Sequence, residues 1–385
     1  MMRSIGFNLS IGFKESKGLK AARNNKTFYP VSVGPGYEGT GKPWGTFIRL
    51  ALCLLLALIM GVGLSAQEAL TVYVEGDTTA KNLSGKIIPL DIGDALKTGE
   101  SVITRITGRA DLELPNKSVI RVNPNTVFTL SEIELEGEKQ TVLSTTVGAV
   151  SYRLNKFTGK GPSIRTAGAV AGVRGTELTV YAGSDGSTLV VVEQGEVAVE
   201  AQGKEVTLER NEAVEVKAGS PPGQKYSWIG KQIDYSTWNQ GRIEEFVKDP
   251  LAGMERIAQQ LEAYRYGLIE ILPLLRKADT EVARVYEELK KAVEAKDEVR
   301  ANQLREELLK GIGKDRRILF LNMRFYALSY LSLRRYVVGG LYLQMKSRYI
   351  TKPTAPVYLA FLERYQEILQ KYEETIVPHL VEADI

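Results

Sequence analysis

The sequence predicts an α+β protein whose two structural classes occupy separate domains: an all-β domain of sandwich or jelly-roll type, then an all-α helical bundle. Two observations predict this order. From Leu70 to about Ala218, apolar and polar residues alternate in short runs that end at Gly, Asn, Asp or Pro roughly every 8 to 12 residues, as in strands joined by tight turns. After Lys225, apolar residues recur at i, i+3 and i+4, which is the spacing of amphipathic helices.

The composition sets limits on function. The chain has 385 residues, of which 44% are hydrophobic and 25% are charged, so both parts have enough apolar residues for a core. The net charge of +4 is too small to indicate a nucleic-acid partner. The only cysteine, Cys53, lies inside an apolar run, so a chain cleaved after that run has no disulfide and no thiolate metal site. We expect no cofactor.

The apolar run 50–64 follows Arg49 and gives way to Ser65 and Ala66. Its length fits a secretory h-region better than the roughly 20 apolar residues of a spanning helix. We therefore expect export to the periplasm or cell envelope, with residues 1–66 as a long n-region and signal peptide. The n-region is longer than usual, which leaves two explanations open: a start codon assigned too far upstream, or an uncleaved inner-membrane anchor. Only the second brings the mature chain to the membrane.

Residues 67–218 are the predicted β domain. Alternation is clear in several segments that each stop at a turn signal, such as Leu70–Val74 before Gly76 and Ala110–Leu114 before Pro115. Alternation of this kind places apolar side chains on one face of each strand. Many short strands with turn residues between them are typical of a two-sheet sandwich or roll around a single core.

Several motifs follow one another in this domain. They are Gly93-Asp94-Ala95-Leu96-Lys97-Thr98-Gly99, Gly148-Ala149-Val150, the small-residue run that ends in Val173-Arg174-Gly175-Thr176, and Thr188 to Val197 with Gly195 at its turn. In this order they resemble the FecR domain, and the resemblance covers about residues 70–218. It says nothing about the C-terminal half.

The resemblance implies a periplasmic signal relay, because FecR proteins typically sense an outer-membrane transporter and regulate a sigma factor across the inner membrane. Here the 49 residues before the apolar run show no sustained helical pattern like that of the family's cytoplasmic domain. Regulation of a sigma factor in the strict sense is therefore not expected. What the resemblance leaves is a non-enzymatic interaction or sensory module with an unidentified protein partner in the cell envelope.

The residues of the FecR motifs also have a structural interpretation. The signature comprises Gly93, Asp94, Gly99, Val173, Arg174, Gly175, Thr176 and Gly195. Its glycines stand where the chain must turn, and glycine adopts positive φ without steric penalty. Arg174 has two interpretations: it satisfies carbonyls or a carboxylate such as Asp94 or Glu177 and fixes the loop, or it contacts an anion or a partner.

Residues 219–241 read as a linker that docks the two parts, and 242–385 as the helical bundle. A first helix should begin at Asp249-Pro250, with Pro273 kinking or ending it. A second helix, capped by Asp279 or Thr280, should reach about residue 310. The third and fourth should cover Asp315 to Tyr349 and Ala355 to Ile376. Short connections between amphipathic helices favour an antiparallel bundle.

The third helix is rich in cations and aromatic residues. Its candidate interaction face comprises Arg316, Arg317, Arg324, Arg334, Arg335, Tyr330 and Tyr336. In one interpretation the aromatic residues fill the bundle core and the arginines pair with acidic neighbours. In the other, the helix presents a basic aromatic surface to an anionic glycan, peptidoglycan or a membrane headgroup.

Nothing in the sequence indicates catalysis. His379 is the sole histidine and lies near the C-terminus, which argues against histidine triads and most zinc sites. Adjacent glutamates such as Glu244 and Glu245 point to different faces of a helix. We expect a non-enzyme with no catalytic residue and no metal site. Two alternatives to the sensory module stay open: a structural envelope protein that binds glycan or peptidoglycan, and a single-pass transducer if residues 50–64 are retained.

Overall fold

The computed structural model describes residues 68–135, 138–157, 161–173, 175–230 and 233–381. The expected signal segment, residues 1–66, and Arg174 of the signature lie outside the described residues. Within them, strands from Ala69 to Ser227 form a β part, and helices from Tyr235 to His379 form a helical part. Both parts belong to one compact unit, Leu64–Ile385. The predicted fold class is confirmed.

The β part contains 17 strands. They are β1 Ala69–Glu75, β2 Thr78–Lys81, β3 Ile87–Pro89, β4 Ala95–Leu96, β5 Ser101–Thr104, β6 Arg109–Glu113, β7 Val119–Val122, β8 Val127–Leu135, β9 Glu138–Arg153, β10 Ser163–Arg165, β11 Val170–Val173, β12 Glu177–Ala182, β13 Thr188–Gln194, β14 Val197–Ala201, β15 Lys204–Leu208, β16 Glu212–Val216 and β17 Tyr226–Ser227.

The strands form two sheets that share β9. Sheet I has the order β4-β1-β6-β7-β9-β12-β13-β16-β17. Sheet II has the order β3-β2-β5-β8-β9-β10-β11-β14-β15. Strand β9 pairs with β10 in sheet II through Val142–Ser144, and with β12 in sheet I through Gly148–Arg153. The β9–β10 pair is parallel, and the other pairs are antiparallel.

The passage of β9 from one sheet to the other depends on a bulge and a glycine. Val127 pairs with Val147 and Phe128 with Thr145, so Thr146 is an extra residue on β9. Such a residue bends a strand and reverses the faces of the residues after it. Gly148 follows at φ 106°, and a β-carbon there would lie 2.4 Å from Cα of Thr126. Only glycine fits this corner.

One apolar core fills the space between the sheets. Val150 and Tyr152 face it from sheet I, and Phe128 and Leu130 from sheet II, each at most 2% exposed. The two outer faces contact other elements. Alternate residues of sheet I, including Tyr181 and Val191, belong to a separate apolar cluster on its outer face.

The helical part contains six α-helices within the described residues, a π-helical segment and a short 3₁₀ turn. They are α1 Tyr235–Lys248, α2 Pro250–Glu294, α3 Glu298–Lys310, α4 Ile312–Ser332, the π-helical Leu333–Val338, α5 Gly339–Arg348, α6 Pro356–Thr375 and the 3₁₀ turn Val377–His379. Helix α4, the π-helical segment and α5 follow one another without a break and correspond to the predicted third helix.

Helix α2 begins as predicted but runs further. The Asp249 side chain accepts a hydrogen bond from the Ala252 N–H, and Pro250 stands in the first turn, where its missing N–H costs nothing. The helix does not end at Pro273. That residue is exposed, while Leu272 and Leu275 on either side are buried, so packing on the inner face holds the helix together.

Two other helix predictions are wrong. A second helix does not begin at Asp279 or Thr280, because α2 continues to Glu294. The chain breaks at Ala295–Asp297 instead, and the side chain of Asp297 caps α3 by accepting from the Arg300 N–H. Residues 235–241, which the sequence analysis placed at the end of the linker, are helical and form the first half of α1.

Helix α4 lies along β8, on the outer face of sheet II. Past the residues that pair with β5, no strand among the described residues pairs with the outer edge of β8. The side chain of Asn322 takes that place at Glu134: its Oδ1 accepts from the Glu134 N–H at 2.9 Å, and its Nδ2 donates to the Glu134 carbonyl at 3.0 Å. The helical part is thus hydrogen-bonded directly to the β part.

Candidate functional site

The first signature motif forms a turn in front of β4. Gly93 has φ 94° and donates its N–H to the Thr71 carbonyl at 2.8 Å, and the Asp94 carboxylate accepts from the Asp91 N–H at 2.9 Å. Gly99 has φ 92° and donates to the Leu130 carbonyl at 2.7 Å. These residues fix the loops around β1 and β8.

The second signature motif lies at one end of the sandwich. Val173 is buried in the core, and the Thr176 carbonyl accepts from the Leu154 N–H at 2.9 Å. Gly175 has φ 67°, and Gly195 has φ 90° with Thr176 so close that a β-carbon at 195 would lie 2.7 Å from Thr176 Cγ2. The motif brings the β13–β14 turn, which contains Gly195, onto the loop before β12. Arg174 lies outside the described residues.

In the arginine- and tyrosine-rich helix, the arginines between residues 316 and 324 make polar contacts within the molecule. Arg316 pairs with Asp279 of α2 at 2.5 Å, and Arg317 donates to the Leu309 carbonyl at 3.0 Å. Arg324 is 6% exposed, and its Nη2 lies 3.4 Å from the Leu83 carbonyl of the β part. These arginines point in different directions.

Residues 330–336 of the same helix contact aromatic rings. The guanidinium of Arg334 lies 4.1 Å from the ring centroid of Tyr372 on α6, a cation–π distance. Tyr330, 2% exposed, also stacks on Tyr372, and burial raises the pKa of Tyr330 to about 12. Arg335 is exposed and lies 5.5 Å from the ring centroid of its neighbour Tyr336. The seven residues are therefore not gathered on one surface, and their role in binding stays a prediction.

A recess lies on the outer face of sheet I. We call it the outer-face recess. Its volume is about 470 Å³, and it is lined by Ser151, Thr179, Tyr181, Val191, Val192, Glu193, Asn211, Trp228, Ile229, Gly230 and Ile233. Strands β9, β12 and β13 supply its floor, because Thr179 pairs with both Ser151 and Val191 in register. The chain after β17 supplies a wall that contains Trp228.

A line of polar groups crosses the floor of the recess. Thr179 Oγ1 lies 2.9 Å from Glu193 Oε1 and 3.1 Å from Ser151 Oγ, and Asn123 Nδ2 donates to Ser151 Oγ at 3.3 Å. Glu193 makes no ion pair with any residue in the described ranges. A carboxylate, hydroxyls and an indole side by side can bind a polyol by hydrogen bonding and ring contact.

Partial burial changes the acidity of two groups in the recess. Glu193 is exposed as a residue, yet its neighbours enclose the carboxyl group enough to raise its pKa, and the hydrogen bond from Thr179 opposes this only in part. Burial also raises the pKa of Tyr181 to about 12, with a further contribution from the Glu193 charge. The Tyr181 phenol is therefore neutral at pH 7 and can donate a hydrogen bond.

Helix α1 covers the end of the same face and fixes the recess beside it. The Tyr235 hydroxyl accepts from the Gly148 N–H and donates to the Ala182 carbonyl, both at 3.0 Å. Trp238 packs against Tyr181 with ring centroids 6.1 Å apart. These aromatic residues come from the segment 219–241.

Sequence reasoning missed the recess. Its polar residues come from separate strands, and no spacing along the chain brings Ser151, Thr179 and Glu193 together. One signal was available: the continuous apolar run Leu189–Val192 in β13 is typical of a strand covered on both faces.

Two observations on the described residues concern metal binding and membrane-spanning helices. No group of three or more His, Cys, Asp or Glu side chains in these ranges could hold a metal ion. None of the helices resolved here is both long enough and apolar enough to span a membrane.

Comparison with known proteins gives a family for part of the chain. Residues 100–198 match the family model described as "FecR protein". No curated protein matches the sequence significantly.

Two solved structures are similar to this chain. Both are crystal structures of "a putative anti-sigma factor" from Parabacteroides distasonis ATCC 8503, at 2.50 and 1.65 Å. Each is 21% identical over 37% of this chain, with TM-scores of 0.30 and 0.29. The match spans only 64% and 65% of their own lengths. The family match therefore places a region similar to the FecR protein family inside the β part, at residues 100–198.

Proposed function

We propose that this protein is an exported, non-enzymatic module that senses or binds a partner in cell-envelope signalling. The observation that carries this proposal is the direct bonding of the helical part to the FecR domain. Asn322 pairs with both backbone groups of Glu134, and Tyr235 bonds to Gly148 and Ala182. A partner bound on one part therefore acts on a body that includes the other.

The place of each bond makes such coupling physically reasonable. Tyr235 holds the corner where β9 passes between sheets, and this corner adjoins the outer-face recess through Ala149 and Tyr181. A ligand that moves Tyr181 or Trp238 therefore bears on the start of the helical part. Coupling between two sites requires an element that has two conformations, with an equilibrium that binding at either site shifts. Helix α1 is the element placed to act in this way.

Crosslinking in intact cells tests the proposal. A photoreactive amino acid replaces Ile229, which is 83% exposed at the rim of the recess, and a matched variant carries it at Leu343, 64% exposed on α5. We expect capture of a membrane receptor or transducer from one or both positions. N-terminal sequencing and fractionation of the same cells determine export and cleavage. Exclusive capture of cytoplasmic proteins, or retention of the chain in the cytoplasm, contradicts the proposal.

A second function is favoured by the chemistry of the recess. Trp228, Tyr181 and Glu193 combine ring faces with a carboxylate, as polyol-binding sites do, which supports binding of envelope glycan. Pull-down with purified peptidoglycan tests this. We expect Trp228→Ala to reduce retention, whereas Tyr286→Ala, which removes an aromatic ring 49% exposed on α2, leaves it unchanged. Equal retention of both variants removes the support for glycan binding.

A further inference from the structure

A second, smaller cavity lies between the outer face of sheet II and helices α2 and α4. We call it the junction cavity. Its volume is about 30 Å³, which is room for about two water-sized groups. Its floor is a row across three strands, because Thr129 pairs with Ser144 and Ser144 pairs with Arg165. Phe325, Ser329 and Ser332 of α4 and Tyr264 of α2 close it from above.

The lining carries one charge and no counterion. Arg165 is the single ionised residue among those that line the cavity in the described ranges, and none of them is Asp or Glu. Arg165 makes no ion pair with any residue that the structure describes. Its Nε is buried without a hydrogen-bond partner, and its guanidinium lies 5.3 Å from the ring centroid of Phe325. Arg165 is half-buried, and its guanidinium has no acidic neighbour in the lining, so an anion can bind beside it.

Hydroxyl groups surround this arginine. Ser131 and Thr146 are 5% and 9% exposed, and their hydroxyls make no hydrogen bond with a described residue. The same holds for the hydroxyls of Ser144, Ser329 and Ser332 within the described part of the chain. Burial raises the pKa of Tyr264, and the nearby Arg165 charge lowers it only in part. Tyr264 is therefore a neutral phenol and cannot serve as the counterion of Arg165.

We infer that the junction cavity binds a carboxylate group. One guanidinium balances one negative charge, and its planar fork matches the two oxygens of a carboxylate. The space also fits two oxygen atoms, whereas a phosphate dianion carries more oxygens and a second charge that nothing in the lining neutralises. The hydroxyls donate the remaining hydrogen bonds. The carboxylate belongs either to a small free acid or to a polypeptide.

Thermal unfolding of the full chain tests this inference, with sodium acetate compared with sodium chloride at equal ionic strength and pH 7. We expect the Tm in acetate to exceed that in chloride by about 3 °C at a tenfold excess over the dissociation constant. Acetylated diglycine with a free C-terminus, compared with its C-terminal amide, separates the two sources. A shift with the free peptide indicates a polypeptide carboxylate, and a shift with acetate alone indicates a small acid.

Arg165→Gln should abolish the shift, and Ser332→Ala, a mild change on a helix, should weaken it. Arg109→Gln is the matched control, because Arg109 is also half-buried with an unpartnered Nε but does not line the junction cavity. It should keep the full shift.

Three results overturn the inference: equal Tm values in acetate and chloride, a shift that survives Arg165→Gln, or a loss in Arg109→Gln as large as in Arg165→Gln. If Arg165→Gln does not fold, the inference is tested by the acetate–chloride comparison on the natural chain and on Ser332→Ala. The inference is independent of the proposed function, because it concerns the purified chain alone.

Discussion

Gly99 of the first signature motif leaves the space that the Arg324 side chain of the helical part occupies. A β-carbon at Gly99 would lie 2.9 Å from Arg324 Nε and 2.8 Å from Leu83 Cδ2. A signature glycine of the β part thus makes room for a residue of a helix 225 positions later in the chain. The glycine is required both for its backbone conformation, φ 92°, and for its missing side chain.

The two requirements can be separated with a pair of signature glycines. Gly93 has nearly the same φ, 94°, but a β-carbon there would meet nothing within 4 Å. We expect Gly93→Ala to cost about 1–2 kcal/mol of unfolding free energy from backbone strain alone. Gly99→Ala should cost clearly more, because Leu83 and Arg324 must also move.

Urea unfolding of both variants measures this difference. Shortening the neighbour in the double variant Gly99→Ala, Arg324→Ala should show favourable coupling, since the crowded guanidinium is gone. Equal costs for Gly93→Ala and Gly99→Ala would mean that contact with the helix contributes nothing at this position.

Much of the fold follows from local signals. The alternating segments became strands because each buries one face in the core between the sheets, and Asp249-Pro250 began a helix because its side chain and ring suit a first turn. The helix break at Ala295–Asp297 was harder to predict. From the sequence, Asp279 and Asp297 are equally plausible caps. In the structure α2 continues through Asp279, whose carboxylate pairs with Arg316, and Asp297 caps α3.

Strand β9 could not be predicted as one element. The bulge at Thr146 reverses its alternation halfway, so Leu143 and Val150 both face the core although their separation is odd. The outer-face recess and the junction cavity are also beyond local pattern. Each needs the register between strands, which the sequence alone does not supply.

Asn322 should be important for docking of the helical part. Asn322→Ala removes two hydrogen bonds to the Glu134 backbone and leaves part of a strand edge unpaired. We expect a loss of about 1–3 kcal/mol of unfolding free energy and faster hydrogen exchange of the Glu134 amide. Asn302→Ala is the control, because Asn302 only accepts from Arg305 on the exposed surface of α3. Unchanged exchange at Glu134 would show that the docking bond is not needed there.

Tyr235 should be important at the corner of β9. Tyr235→Phe keeps the ring but leaves the Gly148 N–H and the Ala182 carbonyl without their partner. A buried group without a hydrogen bond costs about 1–3 kcal/mol, and we expect a loss of that order in urea unfolding. Tyr286→Phe, at a ring 49% exposed, should change little. A loss no larger than that of Tyr286→Phe would mean that water replaces the Tyr235 hydroxyl.

Glu193 should make the stability of the recess depend on pH. Because partial burial raises its pKa in the folded state, the charged form is disfavoured there, and this penalty is present at pH values above the folded pKa. It disappears as the pH falls below the unfolded pKa. We therefore expect Glu193→Gln to be more favourable for stability, relative to the natural chain, at pH 7 than at pH 4. Urea unfolding at both values measures the difference, and the opposite order would contradict the burial of this carboxyl group.

Glu262 lies between helices α2 and α6 and should make stability depend on pH in the direction opposite to Glu193. A hydrogen bond from Arg265, assisted by Lys371 at 2.5 Å, lowers the pKa of Glu262 from 4.5 to about 2. Its stabilising contribution is therefore complete above the unfolded pKa and is lost as the pH falls from about 4.5 through 2. We expect Glu262→Gln to reduce the Tm at pH 7, with the reduction shrinking as the pH approaches 2. Glu287→Gln, on the exposed face of the same helix, should show no such change. A Tm difference for Glu262→Gln that is constant over this range would mean that the ion pairs with Arg265 and Lys371 are broken in solution.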